Sequence, residues 1–418
     1  MAVDLAVDVA YLAFAFASLY FIIMFLMLFA RNRKSIRLLP PLSALPSITL
    51  IVPAFNEERT ISKTLRYLQN FDYPKEKLEI MVVDDGSKDK TFEVASRFRN
   101  VVVLKKSNGG KASALNYGLK FAKGELVGCV DSDSSPKSDA LLKMVPFFSQ
   151  ENVAAVTSSI FVSDAKKLIE RLQRIEYIMI VWGRKLLEYL DGVYCTPGPL
   201  SLYRADALKK VGGFDEQNLT EDIEIAWKLL HGGYKVRMAS QAEVYTTPQN
   251  SFGKWWKQRL RWNIGGMQTT AKYRRDLFRR GFGSLGMFII PFFSLSYFIS
   301  MSGFFIFGYV LLKWLWNFIA FGIGALSLGI NPVNHIDVLL LPDVFTVFGL
   351  LVLAASLVWV VISLKTVGKD LGGLNGLVDL ALYLSVYITI FPFNLLQASW
   401  RFITKDYSGW REFTTVRT

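Results

Sequence analysis

Two cysteines and two histidines are all that 418 residues contain of either type. Cys129 and Cys195 are too few for a disulfide framework, and no CxxC spacing points to a zinc site. His231 falls at a predicted helix end and His335 in a predicted loop, which gives a two-histidine metal centre no support. Also missing are a GxGxxG after the first predicted strand and a GxxxxGK[ST] P-loop. Their absence disfavours a dinucleotide oxidoreductase and an NTPase. Acidic charge is the minority, with 35 Asp and Glu against 48 Lys and Arg, a net charge of +13. Such an excess asks for an anionic partner: a nucleotide phosphate, a membrane surface or nucleic acid. No nucleic-acid-binding module accompanies the charge, so nucleic acid is the weaker reading.

Apolar residues make up 52% of the chain, but unevenly. Residues 9–30 are uncharged and long enough to span a bilayer at about 20 residues per crossing. Asp4 and Asp8 precede them where a signal peptide would carry basic residues, which favours an anchor with its N-terminus outside. Further apolar stretches follow at 286–312, 314–330, 344–364 and 374–398; the second opens on Lys313, Trp314 and Trp316 and reads as a span or an interfacial segment. Arg31, Arg33, Lys34 and Arg37 follow the first stretch, and Lys272, Arg274, Arg275, Arg279 and Arg280 precede the second. By the positive-inside rule residues 31–282 lie in the cytosol, as does a tail carrying Arg401, Lys405, Arg411 and Arg417. An outside N-terminus and an inside tail need an odd number of crossings. The expectation is one span before the domain and four after it, with three after it as the other count.

Between these segments four apolar runs, 47–53, 78–84, 100–106 and 125–131, alternate with helical patterns at 57–70, 88–98 and 111–122. Continuous apolar strands joined by helical crossovers predict an α/β domain with a parallel sheet covered on both faces. Each run ends in a polar cluster, and ligands bind beyond the carboxyl ends of such strands. Asp131-Ser132-Asp133 ends the fourth: alternate residues face one way, and two carboxylates suit Mg²⁺ or Mn²⁺ bridged to a diphosphate. An isolated DxD is more often a solvated turn; the topology and the neighbouring motifs reverse those odds. Asp84-Asp85-Gly86-Ser87 is turn chemistry with a second reading, hydrogen bonding to a base or ribose. Lys111 opens a helix after Gly109-Gly110, where free N–H groups and an ammonium can hold phosphate; a solvated lysine is the equal alternative.

Thr220-Glu221-Asp222 opens a helix with apolar residues at helical spacing and a Gly232-Gly233 stop. Acidic residues there complement the helix dipole, and that field favours the ionised Asp222 that a general base needs. In Gln258-Arg259-Leu260-Arg261-Trp262, the positions 256, 260, 264, 267 and 271 form one apolar face. Gln258, Arg261 and Trp262 share the opposite face. An interfacial amphipathic helix explains the pattern, and so does a site with a guanidinium for a diphosphate and an indole for a sugar ring.

Seven motifs stand in order: PAFNE (53–57), DDGS (84–87), NGGKASALN (108–116), DSD (131–133), TPGPLSLYR (196–204), TED (220–222) and QRLRW (258–262). Over residues 47–282 the chain resembles the processive inverting family 2 glycosyltransferases, which include cellulose, hyaluronan, chitin-oligosaccharide and poly-N-acetylglucosamine synthases. The resemblance implies a Rossmann-like, GT-A-type domain inserted between transmembrane helices. It places Pro53 and Glu57 at the nucleotide pocket, Asp84 and Asp85 on the base and ribose, and Lys111 and Asp131 on the donor. Asp133 becomes the ligand of Mg²⁺ or Mn²⁺ and Asp222 the general base. Gly198 borders the acceptor site, and Gln258, Arg261 and Trp262 grip the diphosphate and acceptor sugar. The implied donor is a UDP-sugar, UDP-N-acetylglucosamine or one like UDP-glucose, and the acceptor a carbohydrate polymer that leaves through the C-terminal helices. Many such synthases have two N-terminal spans where this sequence shows one, and no cyclic-dinucleotide-binding C-terminal domain is evident.

The expected plan is an anchor at 1–30, a cytosolic domain at 31–250, and interfacial helices at 251–285. Membrane helices at 286–400 and a basic tail at 401–418 complete a multi-pass protein of the cell membrane. Two other functions compete: a transferase adding one sugar to a lipid, as ceramide glucosyltransferases do, and a silent export subunit. Four C-terminal apolar stretches favour a channel over the first. Intact DSD, TED and QRLRW motifs argue against the second.

Overall fold

Helix α1 (Ala2–Asn32) covers the first apolar stretch, and the four apolar runs become strands. In the computed structural model, which describes residues 2–42, 44–329, 344–369 and 373–407, β1 (Ile48–Ala54), β2 (Leu78–Asp84), β3 (Val101–Lys105) and β4 (Leu126–Cys129) lie parallel. His335, Arg411 and Arg417 lie outside the described residues. Helices α2 (Ile61–Gln69), α3 (Thr91–Ser96) and α4 (Lys111–Phe121) cross between the strands. On α2 the spacing Ile61, Leu65, Leu68 makes one buried stripe, packed with Leu50, Val52 and Val82 on one face of the sheet. On the other face Ile51, Met81 and Val83 meet Leu115 of α4. Each such side chain, fully buried, contributes about 1.5–3 kcal/mol.

Four more strands extend the sheet beyond the sequence reading. β5 (Ser135–Pro136), helix α5 (Ala140–Met144), β6 (Val153–Val162), helix α6 (Leu168–Glu188) and β7 (Ser201–Arg204) follow in the chain. After them come α7 (Ala205–Lys210), α8 (Glu221–His231) and β8 (Lys235–Thr246). The order is β3-β2-β1-β4-β7-β6-β8-β5. β7 runs antiparallel to both β4 and β6, so the sheet is mixed where a parallel one was expected. The first crossovers build from β1 to one side, through β2 to β3, and the next returns to β4 on its other side. The carboxyl ends of β1 and β4 therefore flank a topological switch point. Their pairing ends at Ile51 and Cys129, short of Pro53, which lacks an N–H and stands opposite Val83 of β2 on the other side.

Helix α9 (Phe252–Lys272) carries the QRLRW run, and α10 (Ile290–Ser327), α11 (Val344–Val367), α12 (Gly373–Leu382) and α13 (Ile388–Thr404) follow. The stretches expected as two segments on either side of Lys313 are joined by α10, which runs unbroken through it: no proline or glycine pair interrupts Leu312-Lys313-Trp314. Among the described residues four helices are long and apolar enough to cross a membrane, at 7–32, 285–324, 347–367 and 375–404. One precedes the domain and three follow it, an even total.

The chain divides into two compact units, residues up to 30 with 294–362, and the rest. Within the first, glycines permit close helix approach: a Cβ on Gly303 would meet Phe14 at 2.6 Å, and one on Gly349 would meet Tyr11 Oη at 3.0 Å. The second unit holds the sheet and every residue of the candidate site.

Candidate active site

The polar ends of β1, β2 and β4 meet the first turns of α4 and α8. Asp84, fully buried, accepts the Ser87 N–H through Oδ1 at 3.0 Å, while its Oδ2 has no hydrogen-bond partner among the described residues. Asp85 takes Lys106 Nζ at 2.7 Å and the N–H groups of Gly109 and Gly110 at 3.1 and 2.7 Å. The two glycine donors expected to be free for phosphate thus face a carboxylate. Gly110 has φ +86°, a conformation suited to glycine, just before α4 begins.

Lys111 is half-buried and ion-paired. Its Nζ lies 2.6 Å from Asp131 Oδ1 and 2.9 Å from Glu221 Oε1, so one ammonium links the ends of β4 and α8. Burial works against its charge, but Asp131, Glu221 and Asp222 outweigh it and hold it well above the ordinary lysine range. The Gly198 carbonyl accepts the Asp131 N–H at 3.0 Å. A Cβ on Gly198 would collide with Lys111 Nζ and Asp131 Oδ1, so this turn needs glycine for close approach rather than for φ. Thr196 ties the same turn to α8, its N–H and hydroxyl both reaching the Asp222 carbonyl at 3.0 Å.

Asp222 itself departs from the helix-field expectation. Burial, then the neighbouring Glu221, push its carboxyl up to about 6, against the pull of Lys111 and Arg261. It is still mostly ionised at neutral pH. Burial also opposes the Glu221 charge, yet Lys111 and Arg261 hold that carboxyl below its usual range. The Cys195 thiol donates to Asp222 Oδ2 at 3.6 Å, a contact that no motif signalled. Asp133 is pushed up to about 6 by burial and by the charges of Asp131 and Glu57. Glu57 reaches the same region from β1, its N–H donating to Thr91 at 2.7 Å and its carboxylate accepting from Thr60.

Arg261 donates to the Leu219 carbonyl at 3.0 Å, just before α8. α8 and α9 approach where Gly265 leaves room for the Thr220 side chain. Gln258, Arg261 and Trp262 are all half-buried. The apolar face predicted for α9 is covered by protein: Leu260 and Ile264 pack on Ala398 of α13. The buried side also takes in Trp255, Arg259 and Asn263, two of them polar, which apolar spacing did not reveal. His231 stands apart, 2.8 Å from Asp276 and stacked on Phe282 at 4.5 Å. Both cysteines are buried free thiols.

Five carboxylates (Glu57, Asp131, Asp133, Glu221, Asp222) thus interact around two cations, Lys111 and Arg261, while Asp84 and Asp85 pair with Lys105 and Lys106. No three of the described residues form a self-sufficient metal site. A divalent ion fits only as a shared ion, with a ligand's oxygens completing its shell.

Comparison with known proteins gives this arrangement a context. The family described as "Glycosyltransferase like family 2" matches residues 46–265. The probable glycosyltransferase YdaM of Bacillus subtilis is 31% identical over 246 residues, 56% of this chain and 59% of the relative. The poly-beta-1,6-N-acetyl-D-glucosamine synthase of Staphylococcus epidermidis is 32% identical over 231 residues, 54% of this chain and 56% of that protein. The chain therefore spans a little over half the length of these curated relatives. A mannosyltransferase from Pyrobaculum calidifontis, solved with GDP-Man and Mn²⁺, superposes with a TM-score of 0.59 at 20% identity, covering 96% of this chain and 99% of that one. That likeness concerns the fold. A GT-A architecture, the motif order and a family match over half the sequence agree: the chain is a glycosyltransferase of family 2.

Proposed function

We propose that the chain is an inverting glycosyltransferase of the cell membrane, passing a sugar from a UDP-sugar to the end of a growing polysaccharide. The observation that carries the mechanism is Asp222, half-buried beside the Lys111–Asp131–Glu221 cluster at the switch-point crevice. Asp222 takes the proton of the acceptor hydroxyl. The hydroxyl oxygen bonds to the anomeric carbon while the bond from that carbon to the diphosphate oxygen breaks, and the electron pair leaves with UDP. Attack from the face opposite the leaving group inverts the anomeric centre. Lys111 and Arg261 carry positive charge toward the leaving diphosphate.

Pro53, Glu57, Asp84 and Asp85 border the base and ribose, and Asp131 orients Lys111 against the donor. Gly198 keeps the acceptor turn close, and Gln258 and Trp262 meet the acceptor sugar. Asp133 is the residue that would hold Mg²⁺ or Mn²⁺, which when bound supplies charge to the diphosphate. The surplus of carboxylates supports this, since a diphosphate entering alone would face net negative charge. Activity should vanish on chelation and return with either ion; activity that survives EDTA would remove the role given to Asp133.

N-acetylglucosamine is the first sugar to test because of the staphylococcal relative, and a polymer product rests on the same likeness. Long apolar helices and the basic runs at 31–37 and 272–280 support membrane seating with the catalytic unit cytosolic. The full chain in lipid nanodiscs, given labelled UDP-N-acetylglucosamine, should release UDP and build a ladder of saccharides. A single labelled sugar on lipid would replace the polymer by a lipid acceptor, and no UDP release from a panel of UDP-sugars would sink the donor assignment.

A further inference from the structure

Arg259 has no part in that mechanism, although it stands within the QRLRW run, and it is 1% exposed. Its guanidinium is committed to protein partners. Nε donates to Glu176 Oε1 at 2.9 Å, Nη2 to Glu176 Oε2 and Nη1 to Gln258 Oε1, while its Cζ lies over the Trp262 ring, 4.1 Å from the ring centre. A guanidinium only donates, so it holds the Gln258 amide with its oxygen inward and its NH₂ turned away, available as a donor. One face of Trp262 is taken by the cation. The opposite face is then the one a sugar ring can use. Arg259 thereby orients both residues assigned to the acceptor side.

Glu176, on α6, is held in turn. Tyr387 Oη donates to Glu176 Oε2 at 2.6 Å and accepts from Trp255 Nε1. Tyr387 ends the turn Tyr383–Tyr387 that leads into α13. That helix is tied along α9 by Asn263 to Asn394 at 3.0 Å, Asn394 to the Trp256 carbonyl at 3.0 Å, and Trp256 to Gln397 at 2.7 Å. The chain of contacts runs from the C-terminal helix through one carboxylate to the motif.

We propose that Arg259 is the positioning residue of the acceptor side, and that Tyr387, acting through Glu176, makes this positioning depend on the C-terminal helix. The inference rests on the assignment of Gln258 and Trp262 to the site. It is tested on the full chain in nanodiscs with UDP-N-acetylglucosamine and a β-1,6-linked N-acetylglucosamine pentamer as acceptor. Tyr387→Phe, which removes one oxygen and keeps the ring, should raise the pentamer KM about tenfold, and Arg259→Lys at least as much, while donor KM moves less than about twofold. The double variant should be no worse than Arg259→Lys alone, because the two residues act on one chain of contacts. An unchanged pentamer KM in both single variants overturns the proposal. So does a parallel rise of both KM values with a falling Tm, which is what a purely structural ion pair gives. Trp262→Ala separates the two levels: if it leaves the pentamer KM unchanged, the site assignment fails; if it raises that KM and the other variants do not, the positioning inference fails alone.

Discussion

At the first turn of α8, Asp222 stands in a helix field that by itself lowers a carboxyl pKa. Burial and the adjoining Glu221 reverse that sign and bring it to about 6. A general base works deprotonated, so the direction of the pH dependence follows. Below about 6 the group is protonated and kcat/KM should fall about tenfold per pH unit; above it the profile should level off. Asp222→Asn should cut kcat by about 10²–10⁴ while UDP affinity is kept, read by UDP release and by calorimetric titration. Unchanged release would remove Asp222 as the base. Gly198→Ala tests the close approach: the new methyl must displace Lys111 or Asp131, at a cost of about 1–3 kcal/mol, and kcat/KM should drop although Asp222 is intact. Asp222, Lys111 and Asp133 were legible because each lies in a short motif at a strand or helix end. The pairing of Lys111 with Glu221 was not, since it joins residues far apart in sequence. Arg259 was hidden for another reason. A charged residue inside a polar motif reads as ligand-facing, and its partner Glu176 belongs to a helix with no motif of its own.

Among the elements, continuous apolar runs such as LEIMVVD gave β2 to the residue, because both faces of that strand are covered. β8 escaped notice, since KVRMASQAEVYT mixes charges with apolar residues and its pairing with β6 is broken by a register shift. β5 has only two residues, too short for any pattern. The boundary expected at Lys313-Trp314 failed because aromatic and basic residues mark an interface without breaking a helix. That continuity has a consequence. At 38 residues α10 is about 57 Å long, against a hydrocarbon core of about 30 Å. Even strongly tilted it cannot lie wholly in lipid, and the basic run before it favours Ser327 as the end that emerges outside. Cys129 and Cys195 are buried, so a single introduced thiol can be followed. In sealed cells Ser327→Cys should react with an impermeant maleimide and Met301→Cys should not; equal protection of both would mean the end of α10 is submerged.

For the molecule as a whole, the charges and the helices disagree over one crossing. Asp4 and Asp8 in the first turns of α1, with Arg31 in its last turn and Arg33, Lys34 and Arg37 after it, favour an outside N-terminus; Arg401 and Lys405 favour an inside tail. The number of crossings is then odd, yet among the described residues four helices have the length and apolarity to cross. The segment 375–404 is fastened by polar ties. Asp379 takes both Arg171 Nε and Nη2, at 2.8 and 3.0 Å, Tyr387 bonds Glu176, and Asn394 bonds Asn263. All three partners sit on α6 and α9, helices that carry buried charge alongside the active site. Ionisable side chains in hydrocarbon are costly, so we expect a segment fastened by them to the catalytic unit to lie along the membrane surface rather than through it. On that expectation the crossings among the described residues would be α1, α10 and α11, an odd count. Reporter fusions measure this directly. Joined after Lys369, and again after Thr418, a reporter should be cytoplasmic at both sites, because no crossing separates them. A switch of side between the two fusions would show that 375–404 spans the bilayer. The polar ties would then have to form at a membrane boundary, and the N-terminus or the tail would lie opposite to where its charges favour.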